Sequence, residues 1–399
     1  MQTRKRIQVF IALLIALPCH GSQSRELTFS LAEDCPRGFE LVSGEGCRLR
    51  SLYQFYSSNQ NRGVGGTRTG LPPVRDGYTP QQIDLGRYLF FDPVLSADQT
   101  VSCASCHQPQ RGFTDGRDVA TGIHGRRGTR STPSLWNVAF NPKLFWDARS
   151  DSLEQQALGP LYSADEMGNS PAELLARLQA VPNYQALFEQ AFPSTGISLP
   201  NLYTALAAFQ ASLISLNSRY DQYAHGDHTA LNSDELAGLN VFRSFVARCS
   251  ECHTPPLFTN NQIAVIGVPE PEGVTFDIGA EKTFSAAKLR GGFKVPTLRN
   301  IAQTAPYMHS GVFADLREAT EFYNLGRGHA ASDDLQIHWH ITSPDLKEYE
   351  IDQIVAFMHA LTDERFLPEI PKIVPSGVVV TDNHNKDDQT MVAHQRKHP

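Results

Sequence analysis

From Thr79 onward, apolar residues recur at three- and four-residue intervals over several stretches. They predict helices over residues 81–90, 172–190, 199–216, 233–245, 316–323 and 345–361. Thr79-Pro80 provides a cap and first-turn signal for the first of these. Ser233 and Asp345 are the expected N-caps of two later ones. Strand-like alternation is scarce, so the pattern predicts an all-α protein. The stretch from Ile263 to Phe293 is rich in Gly and Pro and reads as a long functional loop. Residues 22–76 are polar and turn-rich, with Gly63, Gly65, Gly66, Gly70 and Pro72-Pro73, and read as an irregular extension.

The first residues have another character. Arg4, Lys5 and Arg6 precede an apolar run from Ile7 to Leu17 that is too short to span a bilayer. Cys19 and Gly21 suit a cleavage site after Gly21, so residues 1–21 read as a signal peptide. The rival is a lipoprotein signal with Cys19 acylated, which Pro18 fits poorly. No later run is long enough for a membrane span, and a periplasmic protein is expected.

Seven cysteines then sort by position. Cys19 lies in the signal. Cys35 and Cys47, at short spacing in an exported chain, suggest a disulfide, with two free thiols as the alternative. Cys103-Ala104-Ser105-Cys106-His107 and Cys249-Ser250-Glu251-Cys252-His253 repeat one pattern. Two thiols three apart reach the two vinyl groups of one porphyrin, and the next residue, His, becomes the proximal iron ligand. Zinc or a redox dithiol would leave the following His unexplained twice. Two covalently bound haem c groups are therefore expected. The repeat implies two cytochrome c-like domains, 77–228 and 229–370, after the extension at 22–76 and before a tail at 371–399.

Charge narrows the partners. The 399 residues carry a formal net charge of -7, against the basic footprint of nucleic-acid binding. A basic soluble redox partner remains compatible. The pair His338 and His340 lacks an evident third metal ligand, and both read as surface histidines, as do His225 and His228. The polar tail from Thr381 is expected to be disordered.

The stretches "LGRYLFFDPVLSADQTVSCASCHQPQRGFTDG", "FWDARSDSLEQQALGP" and "FKVPTLRNIAQTAPYMHSGVF" resemble the bacterial di-haem cytochrome c peroxidase family, which includes MauG-type enzymes. The resemblance runs from about Thr79 to Leu367. It implies that hydrogen peroxide reacts at the N-terminal haem, with His107 as proximal ligand. His124, in "TGIHG", matches the displaceable distal histidine, one residue out of register. Gln156 and Glu166 match the distal pair, and Trp146 the tryptophan between the haems. Thr304 and Pro306 match carbonyl ligands of an inter-domain calcium ion, and Ser131 stands where relatives have Asn. A small redox protein or a protein substrate would be the electron donor, and relatives often form homodimers. A carboxylate such as Glu166 suits proton transfer between peroxide oxygens, and Gln156 can hold peroxide without competing for the proton. His309 is expected near a haem edge or propionate.

The second haem decides the mechanism. His253 is one axial ligand. In ordinary peroxidases of this family the other is a Met, and that position here is Tyr323, as in MauG-type members. A thioether raises the iron potential, whereas an anionic phenolate lowers it and stabilises oxidised iron. Met308 and Met358 are the alternative ligands. The expectation is a MauG-like peroxide-driven oxidoreductase. The alternatives are a detoxifying cytochrome c peroxidase and a plain electron carrier.

Overall fold

The computed structural model describes residues 28–58, 63–326 and 334–380. The signal peptide and the tail from Thr381 lie outside the described residues. The structure is mostly helical with little strand.

The extension is less irregular than expected. Strands β1 (Phe39–Val42) and β2 (Gly46–Leu49) form an antiparallel hairpin, followed by the short helix α1 (Leu52–Tyr56). A Cys35–Cys47 disulfide closes the hairpin. Phe39, Cys47 and Leu52 bury against Ile83, Ile214, Leu216 and Leu257, so the extension packs where the two halves of the chain meet. His225 contributes to this junction: its ring stacks on Tyr56 at 4.4 Å, and Nδ1 lies 2.6 Å from Ser58 Oγ. It is half-buried, not a surface histidine.

The first half contains α2 (Pro80–Phe91), α3 (Cys103–Cys106), α4 (Leu153–Tyr162), α5 (Pro171–Gln179), α6 (Pro182–Ala191) and α7 (Leu199–Ala211). Thr79 caps α2 as expected: its hydroxyl accepts from Gln82 N, and its own N–H donates to Gln82 Oε1. The helix predicted over 172–190 is two helices. Pro182 lacks an N–H and occupies the first turn of α6, so the helix breaks there. The helix from Leu199 ends at Ala211. The apolar pattern continues through Leu213, Ile214 and Leu216 because that extended segment is buried.

The second half contains α8 (Arg219–Ala224), α9 (Ser233–Phe242), α10 (Cys249–Cys252), α11 (Ala280–Phe284), α12 (Leu316–Leu325) and α13 (Glu348–His359). Two expected caps shift. Asn232, not Ser233, caps α9 through a bond from Glu235 N. Asp345 stands outside α13 with φ 51°, and its carboxylate pairs with Lys347. The expected long loop carries strand β3 (Ile263–Val265), α11 and strand β4 (Gly292–Lys294), with β3 and β4 antiparallel.

The halves share one packing device. In the first, α2 crosses α7 with Gly86 against the backbone: a Cβ there would lie 1.9 Å from Ala205 O. In the second, α9 crosses α13, and a Cβ on Gly238 would lie 1.9 Å from Gln353 O. Phe209 and Phe357 lie beside the respective glycines. Only a residue without a side chain permits so close an approach.

Residues 371–380, the start of the expected tail, dock on the first half. Val374 is fully buried beside Phe90, Phe91 and Phe113 of the first half. Ser376 donates to Asp92, and Asn183 donates to Pro375 O.

Candidate functional site

A cavity of about 1160 Å³ runs along the contact between the halves. It exceeds the roughly 300–1,000 Å³ of a usual small-molecule site. Both Cys-X-X-Cys-His segments line it, together with Trp146, Gln156, Glu166, Tyr323, Thr304 and Pro306.

Each Cys-X-X-Cys forms a single helical turn, so the two sulfurs share one face and the His follows at the helix end. None of the four thiols is in a disulfide. Burial pushes Cys103, Cys106 and Cys249 up to about 12 and also raises Cys252. A redox dithiol requires the opposite shift. Among the described residues, no three or more His, Cys, Asp or Glu gather as a metal cluster.

The histidines are set for iron. His107 Nδ1 lies 2.9 Å from Phe113 O, and His253 Nδ1 lies 3.2 Å from both Phe258 O and Pro296 O. These carbonyls hold the proton on Nδ1 and leave Nε2 with its lone pair. Burial pulls both imidazoles down to about 4, so they are neutral near pH 7. Paired thiols, a neutral imidazole beside them and a large, mainly apolar cavity fit a haem at each motif.

Gln156 sits on α4, and its side-chain amide has no protein hydrogen-bond partner among the described residues. Glu166 follows α4 in a tight turn. Its carbonyl accepts from Ile123 N at 2.8 Å, and Arg126 donates to the neighbouring Ala164 O. Burial pushes the Glu166 carboxyl above its usual range, against the opposing pull of Arg149. The first-half side therefore offers a hydrogen-bonding amide and a carboxylate with raised proton affinity.

Tyr323, on α12, faces the same cavity. Burial raises its phenol, and Cys252 and Cys249 raise it further, which locates it at the second motif. Its hydroxyl has no protein hydrogen-bond partner among the described residues. Met308 and Met358 also line the cavity.

Trp146 joins the halves. Its indole N–H donates to Ser131 O at 2.9 Å, and its carbonyl accepts from Lys294 N of β4 at 2.7 Å. Phe293 packs edge-on against it, and His309 stacks on Phe293 at 3.9 Å. His309 lines the cavity, with Nε2 3.0 Å from Glu270 Oε1. Arg130 ties Asp147, next to Trp146, to Asp277 of the second half.

Two expectations change. His124 is not brought into the cavity. It lies at a loop tip with its side chain 60% exposed, 3.5 Å from Asp98. His340 is no surface histidine: its side chain is 15% exposed, lines the cavity and approaches Glu251 within 2.7 Å. Its sequence signal was only its spacing from His338. Ser131, which stands where relatives have Asn, is engaged on three sides within the protein. Its hydroxyl donates to Met308 O, its N–H to His309 O, and its carbonyl holds Trp146. Sequence reasoning missed Lys294 and the Arg130–Asp147–Asp277 bridge, because an isolated charge carries no pattern.

Residues 80–229 match the family model described as di-haem cytochrome c peroxidase. The chain is 35% identical to the methylamine utilization protein MauG of Methylorubrum extorquens, covering 75% of this chain and 84% of that protein. It is 32% identical to cytochrome c551 peroxidase of Pseudomonas aeruginosa, again over 75% and 84%. Among solved structures it is similar to a MauG-like protein associated with microbial copper homeostasis, with a TM-score of 0.67, 32% identity, and coverage of 75% of this chain and 97% of that one. The diheme peroxidase BthA from Burkholderia thailandensis matches with a TM-score of 0.64, 28% identity, and coverage of 81% and 96%. The chain thus belongs to the di-haem cytochrome c peroxidase and MauG family, whose membership implies two haems, and it is a peroxidase.

Proposed function

We propose that the chain is a MauG-like di-haem peroxidase in which the Tyr323 phenolate would be a ligand of the second haem iron. The observation that carries this is the Tyr323 phenol, which faces the cavity beside Cys249 and Cys252 with no protein partner for its hydroxyl. Cys103 and Cys106 would hold the first haem by thioether bonds and Cys249 and Cys252 the second, with His107 and His253 as iron ligands. These attachments define two cytochrome c-like domains, 77–228 and 229–370, in an exported, periplasmic protein.

A bound haem supplies the iron at which peroxide is reduced. Gln156 orients peroxide by hydrogen bonding. Glu166 accepts a proton from one peroxide oxygen and returns it to the other, work that its raised proton affinity favours. Trp146 lies at the contact between halves and relays electrons between the two sites. The calcium proposal keeps only Thr304 and Pro306, and no step depends on it.

A second reading has its own support. Met308 and Met358 line the same cavity, and a thioether there would make an ordinary cytochrome c peroxidase fed by a small cytochrome. Mixing all-ferric protein with one equivalent of hydrogen peroxide, without donor, separates the two. A fast change to a long-lived new haem spectrum supports Tyr323 ligation. A reaction that requires prior reduction of one haem overturns it in favour of the second reading.

A further inference from the structure

Of the six Lys and Arg side chains that line the cavity, the four arginines are already paired. Arg127 pairs with Asp118, Arg130 with Asp147 and Asp277, Arg149 with Asp147, and Arg248 with Glu251. Lys282 is exposed. Lys294 differs. It is only partly accessible, lines the cavity, and its ammonium has no hydrogen-bond or ion-pair partner among the described residues. Its main chain is fixed: the N–H donates to Trp146 O, and β4 pairs with β3. Strand alternation directs Phe293 and Lys294 to opposite faces.

We infer that Lys294 binds a carboxylate of a bound haem at the contact between the halves, beside Trp146. A cation drawn partly out of water without a counter-ion is costly, and the cavity's own carboxylates are engaged elsewhere or lie beside Glu166. A haem carries two carboxylates, and a fixed ammonium on one of them favours the reduced, less positive iron. Burial pulls the ammonium down to about 8, a cost that an anion would remove. This inference rests on two bound haems but not on the identity of the second haem's axial ligand.

The test uses the holoprotein with K294M and K294R substitutions, each checked for two haems per chain. Spectroelectrochemical titration should show one haem potential shifted downward in K294M, the other nearly unmoved, and the shift largely reversed in K294R. Unchanged potentials in K294M would overturn the inference while leaving the peroxidase reading intact, since peroxide reactivity is scored separately. Potentials of the wild type that follow added phosphate at constant ionic strength would also overturn it, because the ammonium would then be holding a free anion.

Discussion

The two halves use one scaffold for unlike open faces. Each crosses two helices at a glycine, Gly86 on Ala205 and Gly238 on Gln353, and each presents a Cys-X-X-Cys-His turn with the imidazole anchored through Nδ1. On the first side the cavity meets Gln156 and Glu166, groups that hold and move protons. On the second it meets the Tyr323 phenol and two methionines, with His340 and His309 also on the lining. On the proposed reading, like attachment with different opposing residues would separate peroxide chemistry from electron storage. The comparison locates function in a few side chains on a repeated frame.

The sharpest break of this contrast is E166Q. It removes the proton carrier and leaves the scaffold in place. Peroxide turnover should fall about 10²- to 10⁴-fold with haem content unchanged. The pH profile gives the sign. Accepting a proton requires the ionised carboxylate, and burial raises its pKa. Wild-type turnover should therefore be lost, as pH falls, through a value above the ordinary Glu figure of about 4.3. An acid limb at or below that figure would remove Glu166 from the step.

Y323M acts on the other half. If the phenolate ligates, a thioether should raise the second haem's potential by a sizeable part of the roughly 0.8 V that axial ligands span. It should also make the peroxide reaction depend on prior reduction. An unshifted potential would mean that Met308 or Met358 already ligates.

Much of this was legible in the chain, for identifiable reasons. Cysteine chemistry depends on fixed spacings, so both Cys-X-X-Cys-His segments and the Cys35–Cys47 pair stood out. The periodic helices were also visible, but their ends were not. Pro182 splits one, and buried Leu213, Ile214 and Leu216 extend the apolar pattern past another. Periodicity records burial, and burial does not stop where a helix does. His340, Lys294 and the Arg130 bridge depend on contacts between distant segments, which no local pattern encodes. Val374, read as part of a tail, returns to the first half's core for the same reason.

The extension adds a stability contrast between junction and cavity. Replacing Cys35 and Cys47 by Ser should cost about 3 kcal/mol in the chain-entropy model. Chemical denaturation would measure it. Because the hairpin packs where the halves meet, the loss should appear as weakened cooperativity between them, with the haem spectra of the native state unchanged.

The smallest effect is expected at His124. In the structure its exposed imidazole faces Asp98, and its loop is fastened to the Glu166 segment by Ile123 and Arg126. A histidine held there does not block the first haem. H124A should therefore leave the all-ferric rate with peroxide within about twofold, since a surface change away from the reacting groups alters little. A displaceable distal ligand behaves otherwise. If His124 occupied the iron at rest, its removal would open that position, and the variant would react with peroxide much faster than the wild type before any reduction. Stopped-flow rates of the two ferric proteins decide whether the first half is open by construction or opened on demand, and so whether the halves differ only in side chains or also in gating.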